Sequence, residues 1–291
     1  MTLYNRGTEE SGDCMTTLTT EALTETVGVE ILGVDGDRLL NDPDLPEQVL
    51  SILDANGVVL FRELHLDDET QVAFSKRLGR VETFRNNPEL PELFRVSLDP
   101  SVNPTARYLR GTFDWHIDGM TEDVPISATI LSAHVIAASG GETEFSSTYQ
   151  AYEDLSEEEK AEFETIRVVH TVEASQRLHT PNPTEEQVKM WRSRPSKTHP
   201  LIWTHESGRK SVVLGATADH IEGRDPEEGR QFLSDLLERV TVPERVYRHH
   251  WTVGDMVIWD NTGVLHRACP YDPSAGRDMH RTTLYGIEAI R

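Results

Sequence analysis

Cysteine is nearly missing from this chain. Cys14 and Cys269 are the two thiols among 291 residues. They stand too far apart, one of them in a polar leading stretch, to make a disulfide framework. Positive charge is also scarce: 28 Lys and Arg face 50 Asp and Glu, a net charge of −22. A surface of that sign repels a phosphate backbone, which argues against nucleic acid as a partner. Long apolar runs are absent as well. None approaches the ~18 residues of a membrane-spanning helix, and Met1–Thr20 lacks the apolar stretch of a secretory signal. These absences predict a cytoplasmic protein with no membrane and no nucleic-acid partner. There is also no internal repeat and no linker that would separate two domains.

What remains reads as a mainly β chain with helices. Residues 1–23, rich in Thr, Glu, Gly and Ser, read as a disordered arm, and residues 24–291 as one domain. Val27–Val34 alternates as a strand does. An amphipathic helix over Leu45–Ala55 precedes a buried strand, Gly57–Phe61. A second helix, Asp67–Leu78, closes at Gly79. Thr105–Thr112 reads as a loop, and Ile126–Ala137 as a long strand. Ser156 with Glu159 forms a capping box, Asp225-Pro226 starts the last long helix, and strands dominate the end of the chain.

The most informative stretch is Val257–Gly286. A strand ending at Trp259 turns through Asp260, Asn261 and Gly263 and delivers His266. Arg277 and Arg281 follow His266 by 11 and 15 residues. A neutral imidazole can hold a metal while a fixed cation holds the carboxylate of something bound beside it. Upstream lies Trp115-His116-Ile117-Asp118-Gly119. On an extended strand, positions i and i+2 share a face, so His116 and Asp118 can grip one ion. With His266 they make two imidazoles and a carboxylate, the facial triad of non-haem Fe(II) oxygenases, which leaves open positions for a co-substrate and O₂. Three other pairs compete. In His65-Leu66-Asp67 the aspartate sits where a helix N-cap belongs, His220-Ile221-Glu222 reads as a loop before a helix, and His205-Glu206 reads as a hairpin tip.

Four segments in order, WHID at 115–118, GGETEFSS at 140–147, WDNTGVLHR at 259–267 and RDMHRTT at 277–283, make the chain resemble the taurine / 2,4-dichlorophenoxyacetate dioxygenase family over nearly its whole length. The resemblance implies a double-stranded β-helix, the cupin-like jelly-roll, with flanking helices. It implies an oxidoreductase that uses Fe(II), 2-oxoglutarate and O₂, with His116, Asp118 and His266 as metal ligands. Arg277 would pair with the distal carboxylate of 2-oxoglutarate, and Thr143 would assist it. Arg281 would lie near the metal end, against 2-oxoglutarate or a substrate anion. Asp260 and Asn261 would set the turn before His266, while Trp115 and Trp259 would pack. The expected reaction is hydroxylation of a small organic anion, a carboxylate, sulfonate or sulfate, with release of succinate and CO₂. Hydroxylation can end in cleavage. The region around Phe84 and Arg85 lacks a histidine suited to a sulfonate, so taurine is not the expected substrate; His170 and His199 are further polar candidates. Desaturation in a biosynthetic pathway and a non-catalytic jelly-roll binder stay open as alternatives. The chain would act alone, or as a homodimer or homotetramer.

Overall fold

A computed structural model describes residues 17–85 and 87–291. The chain opens with β1 (Thr19–Ala22) and β2 (Val29–Leu32), paired antiparallel. The arm expected over residues 1–23 therefore lies outside the described residues as far as position 16, and its last part is β1. Next come α1 (Gly36–Asn41), α2 (Leu45–Asn56), β3 (Val58–Phe61) and α3 (Asp68–Leu78). Asp67 caps α3 by accepting the Thr70 amide at 2.8 Å, so the His65–Asp67 pair serves a helix end, as expected.

Beyond β4 (Phe94–Val96), residues Ala106–Phe113 form a 3₁₀ helix where a loop was expected. β5 (Ala128–Val135) and β6 (Thr143–Ser147) follow. An insertion then runs through α4 (Thr148–Glu153), α5 (Glu157–Phe163), β7 (Arg167–His170), α6 (Val172–His179) and α7 (Glu185–Arg192). It continues with β8 (Lys197–Pro200), β9 (Ile202–Thr204), β10 (Lys210–Val212), β11 (Ala218–Ile221) and α8 (Pro226–Val240). The capping box of Ser156 and Glu159 and the Asp225 cap are both present. His220 lies in β11, not in a loop, and His205 stands at the turn of the β9–β10 hairpin. The last strands are β12 (Val246–His249), β13 (Met256–Asp260), β14 (Val264–Ala268) and β15 (Asp278–Leu284).

Seven strands form one sheet in the order β1-β2-β3-β13-β5-β15-β4, and β12-β6-β14 form a second. Side chains alternate across the large sheet, and each face has its own core. On the inner face Leu131, Val257, Trp259 and Met279 pack against Phe145, Tyr247 and Val264 of the small sheet. On the outer face Ile130, Met256 and Ile258 pack under Leu39, Val49, Leu53 and Phe74 of α1–α3. The two sheets are the jelly-roll core, and the helices flank it. Among the described residues no helix is long and apolar enough to cross a membrane.

Candidate active site

His116 and His266 face each other through backbone. Each donates its N–H to the other's carbonyl, at 3.0 and 2.9 Å, in an isolated antiparallel bridge. WHID is thus one bridge residue leading into a turn at Asp118, not the continuous strand its spacing predicts. The same-face argument survives, because the bridge aims both imidazoles inward, their centroids 4.2 Å apart. Gly215 backs this bridge at φ +120; a Cβ there would stand 2.9 Å from the His116 Cα.

The nitrogens meet one carboxylate. His116 Nε2 lies 3.7 Å from Asp118 Oδ1, and His266 Nε2 lies 3.9 Å from Asp118 Oδ2. Their ligand atoms all fall within 4.8 Å of one another. His116 Nδ1 donates to the Asp114 carbonyl at 2.8 Å, which leaves Nε2 its lone pair. Burial, with His116 adding to it, pushes His266 down to about 3, so this imidazole is neutral, the form that ligates. Burial alone would raise the Asp118 carboxyl; His266, Arg281 and His116 outweigh it and hold the group below the ordinary carboxylate range. Arg281, 3.8 Å away, is the member of that set with a permanent charge. Thr129 Oγ1 donates to Asp118 at 3.3 Å and accepts from Asn261 Nδ2 at 2.9 Å, while Trp259 Nε1 donates to Asn261 at 3.1 Å. Asn261 therefore supports the site through Thr129. Asp260 instead sets the turn, accepting from the Thr262 amide at 2.8 Å.

At the other end of the same cavity, Arg277 is 3 % exposed. Its Nη2 donates to the Gly141 carbonyl at 3.1 Å, and its guanidinium lies 4.9 Å from the Tyr271 ring centroid. No carboxylate stands within salt-bridge distance of it among the described residues, and burial pulls its pKa below the ordinary value. A buried cation without a counter-ion is costly unless an anion arrives. Gly141, at φ +80, makes the room: a Cβ there would lie 3.0 Å from Arg277 Cδ and Nε. Thr143 lines the same cavity, and its hydroxyl accepts from Trp251 Nε1 at 3.0 Å, which leaves its own O–H free to donate. Trp251 and Tyr271 escaped the sequence reading, and neither stands in a motif that would have found it.

Leu98, Leu109, Phe113, Leu131 and Trp259 wall the cavity. Trp259, expected to pack, does so, and it also lies 4.8 Å from the His266 ring. Trp115 is core and stacks under Arg267. Phe84 reaches the site through Arg281, whose guanidinium lies 5.9 Å from its ring and 5.0 Å from that of Phe94. His170 and His199 lie elsewhere, buried in the β7–β8 region with ring centroids 5.5 Å apart.

The chain is an oxidoreductase of the 2-oxoglutarate-dependent dioxygenase class. It belongs to the family described as taurine catabolism dioxygenase TauD, TfdA, whose family model matches residues 19–283. It is 39% identical over 249 residues to an alpha-ketoglutarate-dependent 2,4-dichlorophenoxyacetate dioxygenase of Burkholderia sp. (strain RASC), covering 80% of this chain and 83% of that protein. An alpha-ketoglutarate-dependent sulfate ester dioxygenase of Pseudomonas putida is 29% identical over 273 residues, covering 89% and 87%. Among solved structures, AAD-2 in complex with Mn(II) and N-oxalylglycine superposes with a TM-score of 0.80 at 31% identity, covering 94% of this chain and 100% of that one.

Proposed function

We propose that His116, Asp118 and His266 hold Fe(II), that Arg277 and Thr143 bind the distal carboxylate of 2-oxoglutarate, and that Arg281 faces the metal end of the cavity. The observation that carries this reading is the buried, carboxylate-free Arg277 sharing one cavity with the imidazole–carboxylate cluster. When bound, iron and 2-oxoglutarate supply the oxidising chemistry, consuming O₂ and releasing succinate and CO₂. The residues supply the rest. His116, the neutral imidazole of His266 and an Asp118 kept ionised with the help of Arg281 present three ligand atoms to one point. Arg277 fixes the far carboxylate with a forked, charge-assisted contact, and Thr143 donates to it. The apolar wall around Trp259 and Phe113 limits water near the reacting carbon.

The substrate is a small organic anion with an apolar body, a carboxylate, sulfonate or sulfate. The apolar wall and the cation of Arg281 support this, as does the similarity to enzymes named for phenoxyacetates and sulfate esters. The residues carrying all of this fall within a single domain, which runs over the expected 24–291 and takes in β1 as well. Under anaerobic conditions, Fe(II) and 2-oxoglutarate should give a weak visible charge-transfer band in the wild type and none in Asp118→Ala. An unchanged band in that variant would sink the ligand assignment. Succinate release across a panel of carboxylates, sulfonates and sulfate esters ranks the substrate classes.

A further inference from the structure

On the outer face of the large sheet, away from the cavity, a second group of three ligands converges. Asp68 comes from the first turn of α3, His134 from β5 and His280 from β15. Their ligand atoms also lie within 4.8 Å of one another; among the described residues this group and the His116–Asp118–His266 cluster alone meet that condition. His280 Nδ1 is 2.6 Å from Asp68 Oδ1, and His134 Nε2 is 3.9 Å from the same oxygen. Ligand atoms around a tetrahedral zinc ion stand roughly 3.4 Å apart; His134 reaches that arrangement by turning its part-exposed ring out of the stack with His280, since two near-parallel rings do not aim their lone pairs at one point.

We propose that Asp68, His134 and His280 form a second site, one that binds a divalent transition ion of the zinc class with water in the fourth position. Two imidazoles and one carboxylate suit that class.

Three features shape the site. First, His134 is the extra residue of a β-bulge. Met279 pairs with Ala133 and Asp278 with Val135, so His134 has no partner across the ladder. A bulge of this kind re-aims a side chain, and here it stacks the His134 ring on that of His280, with centroids 3.7 Å apart and planes 17° apart. Second, His280 has an outer carboxylate. Its Nε2 faces Asp278 Oδ2 at 3.5 Å, and Arg95 of β4 pairs with Asp278 in turn. A ligating histidine is oriented in this way by a carboxylate on its other nitrogen. Third, the scaffold is already tied. Gln71 of α3 donates to the His280 carbonyl at 3.1 Å and accepts from Ser132 of β5 at 2.6 Å. All three elements are thus fixed one step from their ligands.

Without an ion the group is a proton clamp. Burial would lower His280, but Asp278 and Asp68 outweigh it and raise the imidazole above its ordinary value. Burial and His280 lower His134, which keeps it neutral. An ion and a proton therefore compete for His280, and Asp68, Asp278, His134 and Arg95 are the groups that face it. Asp68 and His134 are about one-third exposed (33% and 29% of the side chain), so an ion can reach them.

The test is equilibrium dialysis of the untagged full chain against micromolar free Zn²⁺. Two zinc ions per wild-type chain are expected. His134→Ala should bind one, His266→Ala should bind one, and the double variant none. Asp278→Asn should weaken the outer ion by about 10- to 100-fold and leave the inner one alone. X-ray absorption at the zinc edge of the loaded His266→Ala chain should report two imidazoles. A single zinc in the wild type that His134→Ala retains, two retained in His134→Ala, or an all-oxygen shell in His266→Ala would each overturn the second site. None of these results bears on the cavity assignment, which fails instead if His266→Ala still binds two.

Discussion

At the scale of single residues, Arg277 and its cradle make the sharpest claim. Losing a charge-assisted contact in a buried site costs about 2–4 kcal/mol, some tens- to several-hundred-fold. Arg277→Ala should raise the KM for 2-oxoglutarate by that order, and calorimetry should show the same loss of binding. Gly141→Ala should act in the same direction without removing the charge, since its Cβ would press on Arg277 from 3.0 Å at a strained φ of +80. Trp251→Phe removes the donor to the Thr143 hydroxyl. That contact is neutral, so the expected KM rise is only about 2- to 10-fold. Arg281→Ala should chiefly weaken the primary substrate, or uncouple succinate release from product. The residues given these proposed roles were partly legible in the sequence. Arg277 and Arg281 stood at readable offsets from His266. Trp251 and Tyr271 carry no motif of their own, and only the packing of β6 beside β12 and of the turn before β15 brings them to the site.

At the scale of elements, local signals were read well and junctions less so. Caps announced α3, α5 and α8, because an Asp or Ser side chain must satisfy the first amides of a helix. The same signal was there for α6, where Thr171 Oγ1 accepts the Ala174 amide at 3.0 Å, but the apolar run before it reads as strand. The cluster of Asp68, His134 and His280 was not legible at all. Each residue sits on a different element, and the bulge that turns His134 toward His280 depends on pairing, not on spacing. The turn from β13 to β14 gives a prediction at this scale. Asp260 is buried, and burial pushes its carboxyl up to about 6, with Asp54 adding to the shift, against the hydrogen bonds from Thr262 and Tyr149. Its folded pKa lies above its unfolded one, so the native state holds the extra proton between about pH 4 and pH 6. Stability is therefore lost as pH rises through that window, by up to about 3 kcal/mol. Urea unfolding of Asp260→Asn beside the wild type should show the variant gaining on the wild type by that order from pH 4 to pH 7. A constant difference across the range would remove Asp260 as the cause.

At the scale of the whole molecule, the charge of −22 sets an expectation that no single contact does. Raising salt from ~0.1 to ~1 M shortens the screening length from ~10 to ~3 Å and weakens self-repulsion more than it weakens buried pairs. Tm should rise over that range; a fall would mean that surface ion pairs outweigh the net charge. The bridge between His116 and His266 has a consequence of another kind, in the order of assembly. It joins positions 150 apart in the chain, and closing a flexible loop of that length costs about 4 kcal/mol in entropy before any contact repays it. On the proposed ligand assignment, a nascent chain lacks one imidazole until β14 is made, so all three ligands can capture iron only once Val264–Ala268 has been synthesised. Metal content then becomes a tally of finished molecules, and a misfolded fraction would show itself as iron-poor protein before it showed any loss of solubility.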